Sequence, residues 1–278
     1  MKIQKTALTS RQNATIKWVV SLHDKKGRRA SAAFIAEGEK LTFEAAAAGL
    51  PITHVFVSNK KIEEIIPRIE TAFSSEMYND TEIITVAEDV FEKISTEKAP
   101  QGIISVIKHL DFFKELNIIY KEEFFLQEAE RAIALCSVRD PSNIGSVIRS
   151  AVAFGAKHIV LSADSADIYN PKTVRSAMGA LFKVRVTVVR DFASFVSAAQ
   201  ANGRRVFAAE LADNAIALDT VEVNNTDIFI IGNEGHGIPA DISASCDNSV
   251  YIPISSNTES LNASVAAAIF MWEQGKNN

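Results

Sequence analysis

Residues 132–156, AIALCSVRDPSNIGSVIRSAVAFGA, predict a strand, a turn and a helix in direct succession. The first seven residues are apolar except for Ser137, as in a buried strand, and Asp140-Pro141 favours a turn. Ser142 or Asn143 is then the candidate N-cap of the helix, which Gly155 ends. The apolar stripe of this helix comprises Ile144, Val147, Ile148, Ala151 and Val152. A strand that leads straight into an amphipathic helix is the repeating unit of α/β proteins.

The flanking sequence repeats the same alternation. Further β-branched, apolar runs occur at residues 158–162, 183–189, 205–210, 227–232 and 249–254, and helical patterns separate most of them. Alternation of this kind predicts a mostly parallel sheet with helices on both faces.

Arg149 lies off the apolar stripe of the first helix, one turn after Gly145. Because helical side chains lean toward the N-terminus, its guanidinium is expected beside Asn143 and the start of the helix. Free N–H groups and the helix dipole favour an anion at that place. An ordinary surface arginine on an amphipathic helix remains the alternative.

A glycine-rich loop follows the strand-like DIFII. The segment GNEGHGIP, residues 232–239, has the spacing G-x-x-G-x-G, which differs from the G-x-G-x-x-G of dinucleotide-binding folds. Its glycines allow a close approach of backbone to ligand. Glu234 is a candidate general base, hydrogen-bond acceptor or turn residue, whereas His236 is interpreted as a surface loop residue.

The last 28 residues combine a short strand, a polar loop and a helix that is apolar or small all round. Such a helix is buried on more than one side, which near a C-terminus suggests a subunit interface. Ser260 and Asn262 at its start are either helix caps or polar groups that face a site.

The first hundred residues predict a smaller α/β domain. Strand-like runs occupy residues 52–58, 82–87 and 102–108, a helix runs from about residue 38 to Gly49, and a second helix is interrupted at Pro67. A chain of 278 residues fits about two domains. We expect one domain at 1–112, a connector at 113–130 and the other domain at 131–278.

Charge is distributed unevenly along the chain. The formal net charge is −5, yet residues 1–31 carry eight Lys or Arg and only one acidic residue, Asp24. The cluster Lys25, Lys26, Arg28 and Arg29 is therefore a candidate phosphate-binding surface. A solvated basic helix without a partner is the alternative.

Several function classes are disfavoured. The longest wholly apolar run, residues 265–272, is too short for a membrane span, and the N-terminus lacks a signal-peptide pattern, so a soluble cytoplasmic protein is expected. Cys136 and Cys246 form no C-x-x-C pair, and the five histidines show no ligand-like spacing, so no metal site is expected.

Taken in order, three motifs resemble those of the SpoU-type (TrmH-like) RNA ribose methyltransferases. They are Asn143-x-Gly145-x-x-x-Arg149, then Gly232-Asn233-Glu234-Gly235, then Ile252-Pro253-Ile254 with ESLNASV at residues 259–265. The segment YNPKTVRSAMGALFKV, residues 169–184, is also similar to that family. KGRRASAAFIAEGEKL, residues 26–41, resembles the substrate-binding domain that often precedes the catalytic one.

The resemblance implies a C-terminal α/β SPOUT domain with a trefoil knot and an N-terminal domain with a ribosomal-protein-type RNA-binding fold. It implies a homodimer that binds S-adenosylmethionine and methylates a ribose 2′-hydroxyl of a structured RNA, with no DNA or membrane partner. Within the family the substrate is ribosomal or transfer RNA, and the two-domain architecture and chain length favour ribosomal RNA. Expected cofactor-binding residues are Ala209, Glu210, Gly232, Asn233, Ile252, Ile254, Leu261 and Asn262. Expected catalytic residues are Arg149, Asn143, Glu234, Ser260 and Asn262.

Two rival functions stay open at this point. A non-catalytic RNA-binding or ribosome-assembly protein would keep the same fold. A nucleotide-dependent α/β metabolic enzyme is disfavoured because the chain has neither a G-x-G-x-x-G motif nor a P-loop.

Overall fold

The computed structural model describes residues 1–110, 119–120 and 130–276. The described chain forms two compact units, and each has its own sheet. The first unit contains residues 1–110 and Asp167–Phe182, and the second contains the other described residues. The expected connector 113–130 lies outside the described residues, apart from 119–120 and 130.

The first unit is built on a five-stranded mixed sheet in the order β1-β4-β3-β5-β2. Strand β4 pairs in parallel with β1 and β3, whereas β5 pairs antiparallel with β2 and β3. The strands are β1 Lys2–Leu8, β2 Ala33–Glu37, β3 Ile52–Ser58, β4 Glu82–Val86 and β5 Ile103–Lys108. The helices are α1 Ala14–Ser21, α2 Lys25–Ser31, α3 Glu39–Ala47, α4 Ile62–Ala72 and α5 Glu88–Ile94, with a 3₁₀ turn at Glu76–Tyr78.

The second unit is built on an eight-stranded sheet in the order β11-β13-β10-β12-β7-β8-β9-β6, in which every pairing is parallel. Its strands are β6 Ile119–Tyr120, β7 Ala132–Leu135, β8 His158–Ser162, β9 Arg185–Val189, β10 Val206–Ala209, β11 Ile216–Ala217, β12 Ile228–Ile231 and β13 Asn248–Tyr251. Beyond residue 130 the helices are α6 Pro141–Ala153, α7 Pro171–Ala177, α8 Phe192–Ala201, α9 Ala240–Ser245 and α10 Ala263–Gly275, with 3₁₀ turns at Ala180–Lys183 and Leu218–Thr220.

The predicted α/β class and parallel sheet are confirmed. Strands β7, β8 and β12 are buried throughout, and they are apolar at every position except His158 and Ser162 at the two ends of β8, as expected where helices cover both faces of a parallel sheet. One core cluster joins Ile228 and Ile230 of β12 to Phe195 and Val196 of α8. Each such side chain contributes roughly 1.5–3 kcal/mol when it is fully buried. The trefoil knot stays a prediction.

Two local expectations were wrong or incomplete. Helix α4 runs through Pro67 without a break. The proline removes one backbone hydrogen bond, but Ile65 and Ile69 on either side are completely buried and hold the helix in place. Strand β1 was not expected, because the sequence of residues 2–8 was interpreted by its charge alone. It lies at the edge of the sheet, where lysines are common.

The segment Asp167–Phe182 packs in the first unit, although it lies between β8 and β9 of the second unit in the sequence. Tyr169 is 1% exposed, and its ring stacks on Phe34 at 4.7 Å and on His109 at 4.2 Å between centroids. The predicted division into 1–112 and 131–278 assigns this segment to the second domain, whereas it packs in the first unit. The domain boundary itself stays a prediction.

No helix among the described residues is long and apolar enough to cross a membrane. Both cysteines are free thiols. Burial raises the pKa of the Cys246 thiol to about 12, and nearby Glu210 and Asp247 act in the same direction, so this side chain stays protonated at neutral pH.

Candidate active site

A cavity of about 270 Å³ opens at the carboxyl ends of β13, β10 and β12, which are neighbours in the parallel sheet. Ligands of open α/β sheets bind at this edge of the strands. The wall is formed by the residues that follow each strand and by the start of α10. It comprises Ala209, Glu210, Leu211, Ile231, Gly232, Asn233, Glu234, Gly235, Gly237, Val250, Tyr251, Ile252, Ile254, Glu259, Ser260, Leu261, Ala263, Ala266 and Phe270.

The structure brings seven of the eight expected cofactor-binding residues together in this wall. They are Ala209, Glu210, Gly232, Asn233, Ile252, Ile254 and Leu261. They come from three separate stretches of sequence, and the parallel order of the strands places them side by side. Asn262, the eighth, lies just outside the cavity wall.

The loop after β12 folds tightly on itself. The backbones of Asn233 and Gly237 exchange two hydrogen bonds of 2.9 Å, and the Asn233 Oδ1 accepts from the Gly235 and His236 N–H groups. A Cβ at position 232 would lie 2.5 Å from the Gly237 carbonyl carbon, so only glycine fits there. His236 is exposed, as the sequence indicated.

Three carboxylates lie in the cavity wall, those of Glu210, Glu234 and Glu259. Ser243 and Ser249 both donate to Glu210 Oε1, the latter at 2.9 Å, which fixes that carboxylate in position. The rest of the wall includes apolar side chains such as Leu261 and Phe270. Acidic and apolar surface in one cavity fits an organic cation with an aromatic ring system, and S-adenosylmethionine has that chemistry.

A chain of amide hydrogen bonds lies beside this cavity. The Asn262 Oδ1 accepts from the Ser264 backbone N–H at 2.9 Å and so caps helix α10. Its Nδ2 then donates to Asn143 Oδ1 at 3.0 Å, and Asn143 Nδ2 donates to Glu234 Oε1 at 2.6 Å. The helix cap thereby fixes the orientation of both amides and of the Glu234 carboxylate. Asn262 is both a cap and a polar group that faces the site.

The cap of α6 differs from the sequence expectation. Asp140 is the N-cap, its side chain accepts from the Ser142 N–H at 2.9 Å, and Pro141 occupies the first helical position. The prediction that Ser142 or Asn143 caps this helix is therefore wrong. Because Asp140 satisfies the helix end, the Asn143 side chain is available for Asn262 and Glu234.

Arg149 lies two turns along α6 from the cap, and its side chain is exposed. No hydrogen bond or ion pair joins it to another residue in the part of the chain that is described. Glu234 and Ser260 line the cavity, and Asn143 and Asn262 are joined to Glu234 by a chain of hydrogen bonds beside it. Arg149 lies outside the cavity wall.

The expected RNA-binding cluster on α2 is only partly exposed. Lys25, Lys26 and Arg29 are at the surface. Arg28 is 2% exposed and forms an ion pair with Asp167, so its expected contact with RNA is wrong. Its guanidinium donates to Asp167 and to two backbone carbonyls inside the protein, so it does not reach a phosphate at the surface.

Sequence reasoning missed several residues of the cavity, notably Leu211, Glu259 and Phe270. Leu211 lies two residues after the end of β10 and is 80% exposed. For Leu211 and Glu259 the available signal was their place in the loops that follow β10 and precede α10, whereas Phe270 lies in the middle of α10, where no such signal exists. Among the described residues, no group of three or more His, Cys, Asp or Glu is arranged to hold a metal ion.

Comparison with known families separates the two halves of the chain. Residues 130–272 match the model of the SpoU rRNA Methylase family. The chain belongs to this family. Residues 13–105 match the MRM3-like substrate binding domain, which accounts for the smaller N-terminal sheet.

Relatives of known activity match over nearly the whole chain. The 23S rRNA (guanosine(2553)-2'-O)-methyltransferase RlmP of Bacillus subtilis is 31% identical over 265 residues, which cover 95% of this chain and 97% of the relative. The 23S rRNA (uridine(2479)-2'-O)-methyltransferase of Streptomyces viridochromogenes is 27% identical, with coverage of 96% and 90%.

Solved structures of the family have the same fold. An rRNA methyltransferase from Sinorhizobium meliloti with bound AdoMet aligns with a TM-score of 0.83 and 26% identity over 99% of this chain and 98% of its own. The predicted class, an RNA 2′-O-ribose methyltransferase that uses S-adenosylmethionine, is therefore confirmed at the level of the SpoU family.

Proposed function

We propose that this SpoU-family chain methylates the ribose 2′-hydroxyl of one nucleotide in 23S ribosomal RNA. The relatives RlmP and the Streptomyces enzyme are both 23S rRNA 2′-O-methyltransferases that match over almost the full length of this chain. The substrate-binding domain and the exposed cations of α2 support an RNA substrate, and a free 2′-hydroxyl distinguishes RNA from DNA.

The observation that carries this proposal is the amide chain Asn262–Asn143–Glu234 at the edge of the cavity. It connects all three sequence motifs in a single hydrogen-bonded array. The orientation of each amide is set by the α10 cap, so the array is rigid before any ligand arrives. Preorganised polar groups of this kind position reactants rather than merely stabilise a fold.

The residues around the cavity would hold S-adenosylmethionine through the backbone at Gly232, Ile252 and Leu261 and through the acidic side chains of Glu210 and Glu259. When bound, this cofactor supplies a methyl group that its sulfonium already makes electrophilic. The chain therefore has to supply alignment and to help the hydroxyl lose its proton.

Arg149 is the proposed catalytic residue for that proton loss. Its guanidinium is free to bind an RNA phosphate, and the pair would orient and activate the neighbouring ribose hydroxyl. In this scheme Asn143 and Glu234 hold the ribose side of the site, and Ser260 and Asn262 hold the cofactor side.

The deciding experiment combines two variants with an RNA map. Arg149→Ala is expected to lower methyl transfer to 23S rRNA by at least about 10²-fold, while S-adenosylmethionine binding by calorimetry stays within about twofold of wild type. Arg149→Lys keeps the charge but not the planar fork, and is expected to recover only part of the rate.

Two outcomes would contradict the proposal. Normal turnover of Arg149→Ala would remove Arg149 from the mechanism. If wild-type protein binds ribosomal RNA but neither binds S-adenosylmethionine nor adds a 2′-O-methyl group, the chain is a non-catalytic RNA-binding protein. Mapping 2′-O-methyl sites in RNA from cells that lack the protein identifies the nucleotide.

Homodimerisation and a cytoplasmic location belong to the same proposal. The outer face of α6 and α10 carries an apolar groove lined by Phe154, Val265, Ile269 and Trp272. Trp272 is 55% exposed and Val265 47%, which supports a second copy of the chain as the partner of this face. Ribosomal RNA as substrate supports the cytoplasm as the place of reaction.

A further inference from the structure

Helix α2, which carries the exposed cations, has little stability of its own. It has seven residues, KKGRRAS, and an isolated helix of that length is marginal in water. Lys25 and Lys26 lie in its first turn, where the positive end of the helix dipole disfavours them. The N-cap Asp24 makes no side-chain hydrogen bond to the helix. Contacts with the rest of the fold must therefore hold α2.

Gly27 in the middle of α2 shows how closely the helix is packed. A Cβ at this position would lie 2.0 Å from the carbonyl oxygen of Ser21, the last residue of α1. Glycine permits this contact but lowers the helix propensity further. The geometry of α2 is thus set by tertiary contacts and not by its own sequence.

Arg28 is the main anchor of α2. Its Nη1 donates to the carbonyls of Leu22 and His23 at 2.9 and 2.7 Å, at the turn that leads into the helix. Its Nε and Nη2 both donate to Asp167 Oδ2, at 3.0 and 2.6 Å. One buried guanidinium therefore connects the turn before α2 to a carboxylate that is 139 positions away in the sequence.

Asp167 is itself firmly held within the first unit. Its Oδ1 accepts from the Tyr169 N–H at 3.0 Å, and its carbonyl accepts from Thr173 Oγ1 at 3.0 Å. The Tyr169 hydroxyl in turn accepts from the Leu110 N–H at 2.8 Å. The carboxylate thus offers Arg28 a fixed partner.

From these contacts we infer that Asp167 is a positioning residue for RNA binding, which acts through Arg28 to hold Lys25, Lys26 and Arg29 in one phosphate-binding array. The inference rests on the proposed role of α2 in binding RNA. Asp167 lies within residues 130–272, which match the methyltransferase family, whereas α2 lies within the substrate-binding match. A residue of the catalytic sequence thereby contributes to substrate affinity without touching the RNA.

The test is the salt dependence of binding to a 23S rRNA transcript by Asp167→Asn. Asparagine keeps an oxygen for the Tyr169 N–H but places an amide N–H₂ group beside Arg28, so the anchor is lost with little change in volume. Each lost phosphate contact lowers the slope of log K against log salt by about 0.7–0.9. We expect a slope smaller by about 2, RNA binding at least about tenfold weaker at low salt, and unchanged S-adenosylmethionine binding.

This slope separates positioning from a simple loss of folded protein. A lower folded fraction reduces apparent affinity equally at all salt concentrations and leaves the slope unchanged. The matched control is Asp227→Asn, which breaks another ion pair of a buried carboxylate, the 2.6 Å contact to Arg205 in the second unit. That variant is expected to keep the wild-type slope. If Asp167→Asn does not fold, Arg28→Lys serves in its place, because it keeps the charge but loses the fork.

The triple variant K25A/K26A/R29A tests separately whether α2 binds RNA and whether Asp167 positions it. Its slope of log K against log salt is expected to fall by the same amount as in Asp167→Asn. Adding Asp167→Asn to the triple variant should lower the slope no further. A wild-type slope in the triple variant would overturn both the RNA role of α2 and the inference. A reduced slope in the triple variant with a wild-type slope in Asp167→Asn and Arg28→Lys would overturn the inference alone.

Discussion

His158 illustrates how a single buried residue sets the response of the fold to acid. It is 3% exposed at the start of β8, and its Nε2 hydrogen-bonds the Thr187 hydroxyl at 2.7 Å. Burial lowers the pKa of His158 to about 4, and the nearby positive charge of Arg204 adds to the shift. The folded state therefore holds a neutral imidazole, whereas the unfolded state titrates near the ordinary pKa of about 6.5.

That difference in pKa makes the stability of the fold depend on pH. The stabilising contribution is fully present above pH 6.5 and is lost as pH falls through about 4, and its total is about 3 kcal/mol. Urea unfolding at about pH 7 and about pH 5 should show a loss of about 2 kcal/mol in wild type that is absent in His158→Gln. His236→Gln, at an exposed site, should keep the wild-type loss. The same loss in His158→Gln would disprove the assignment.

At the scale of an element, the loop after β12 depends on one glycine and tolerates change at another. At Gly232 an added Cβ would collide with the Gly237 backbone at 2.5 Å, whereas at Gly235 it would meet only the Asn233 Oδ1 at 3.6 Å. The two positions lie in the same cavity wall. They differ mainly in the space available for a side chain.

Gly232→Ala should therefore weaken S-adenosylmethionine binding by at least about tenfold, because the loop has to open to make room for the alanine side chain. Gly235→Ala should bind within about twofold of wild type. Calorimetric titration of both variants measures the difference. Equal affinities would show that the tight turn at Gly232 has no part in binding the cofactor.

At the scale of the whole molecule, the exposed face of α6 and α10 predicts the oligomeric state. Trp272→Glu places a charge in the centre of the apolar groove and should convert a homodimer to a monomer in sedimentation experiments. Met77→Glu is the matched control, since Met77 is similarly exposed, at 50%, but lies in the first unit. A monomeric wild type, or a dimeric Trp272→Glu, would contradict the proposed interface.

Much of the architecture could be predicted because it depends on local patterns. Apolar runs of five to seven residues predicted six strands of the second sheet, and their alternation with helices predicted parallel pairing. The two-residue strands β6 and β11 were not predicted, because they are too short to form a pattern. The ordered motifs around Asn143, Gly232 and Leu261 indicated the family, and the expected site residues include nine of the nineteen residues in the cavity wall. These features can be recognised in the sequence because each depends only on residues that are close together along the chain.

The tertiary structure alone decided what charged and polar side chains do. Four basic residues on α2 look equivalent in the sequence, yet only Arg28 is buried, because a carboxylate from residue 167 reaches it. Likewise, Asn143 was expected to cap its own helix, but Asp140 does so and Asn143 joins Glu234 and Asn262 instead. Apolar burial follows from sequence periodicity, whereas the partner of a polar group depends on which distant residue the fold brings within hydrogen-bond distance.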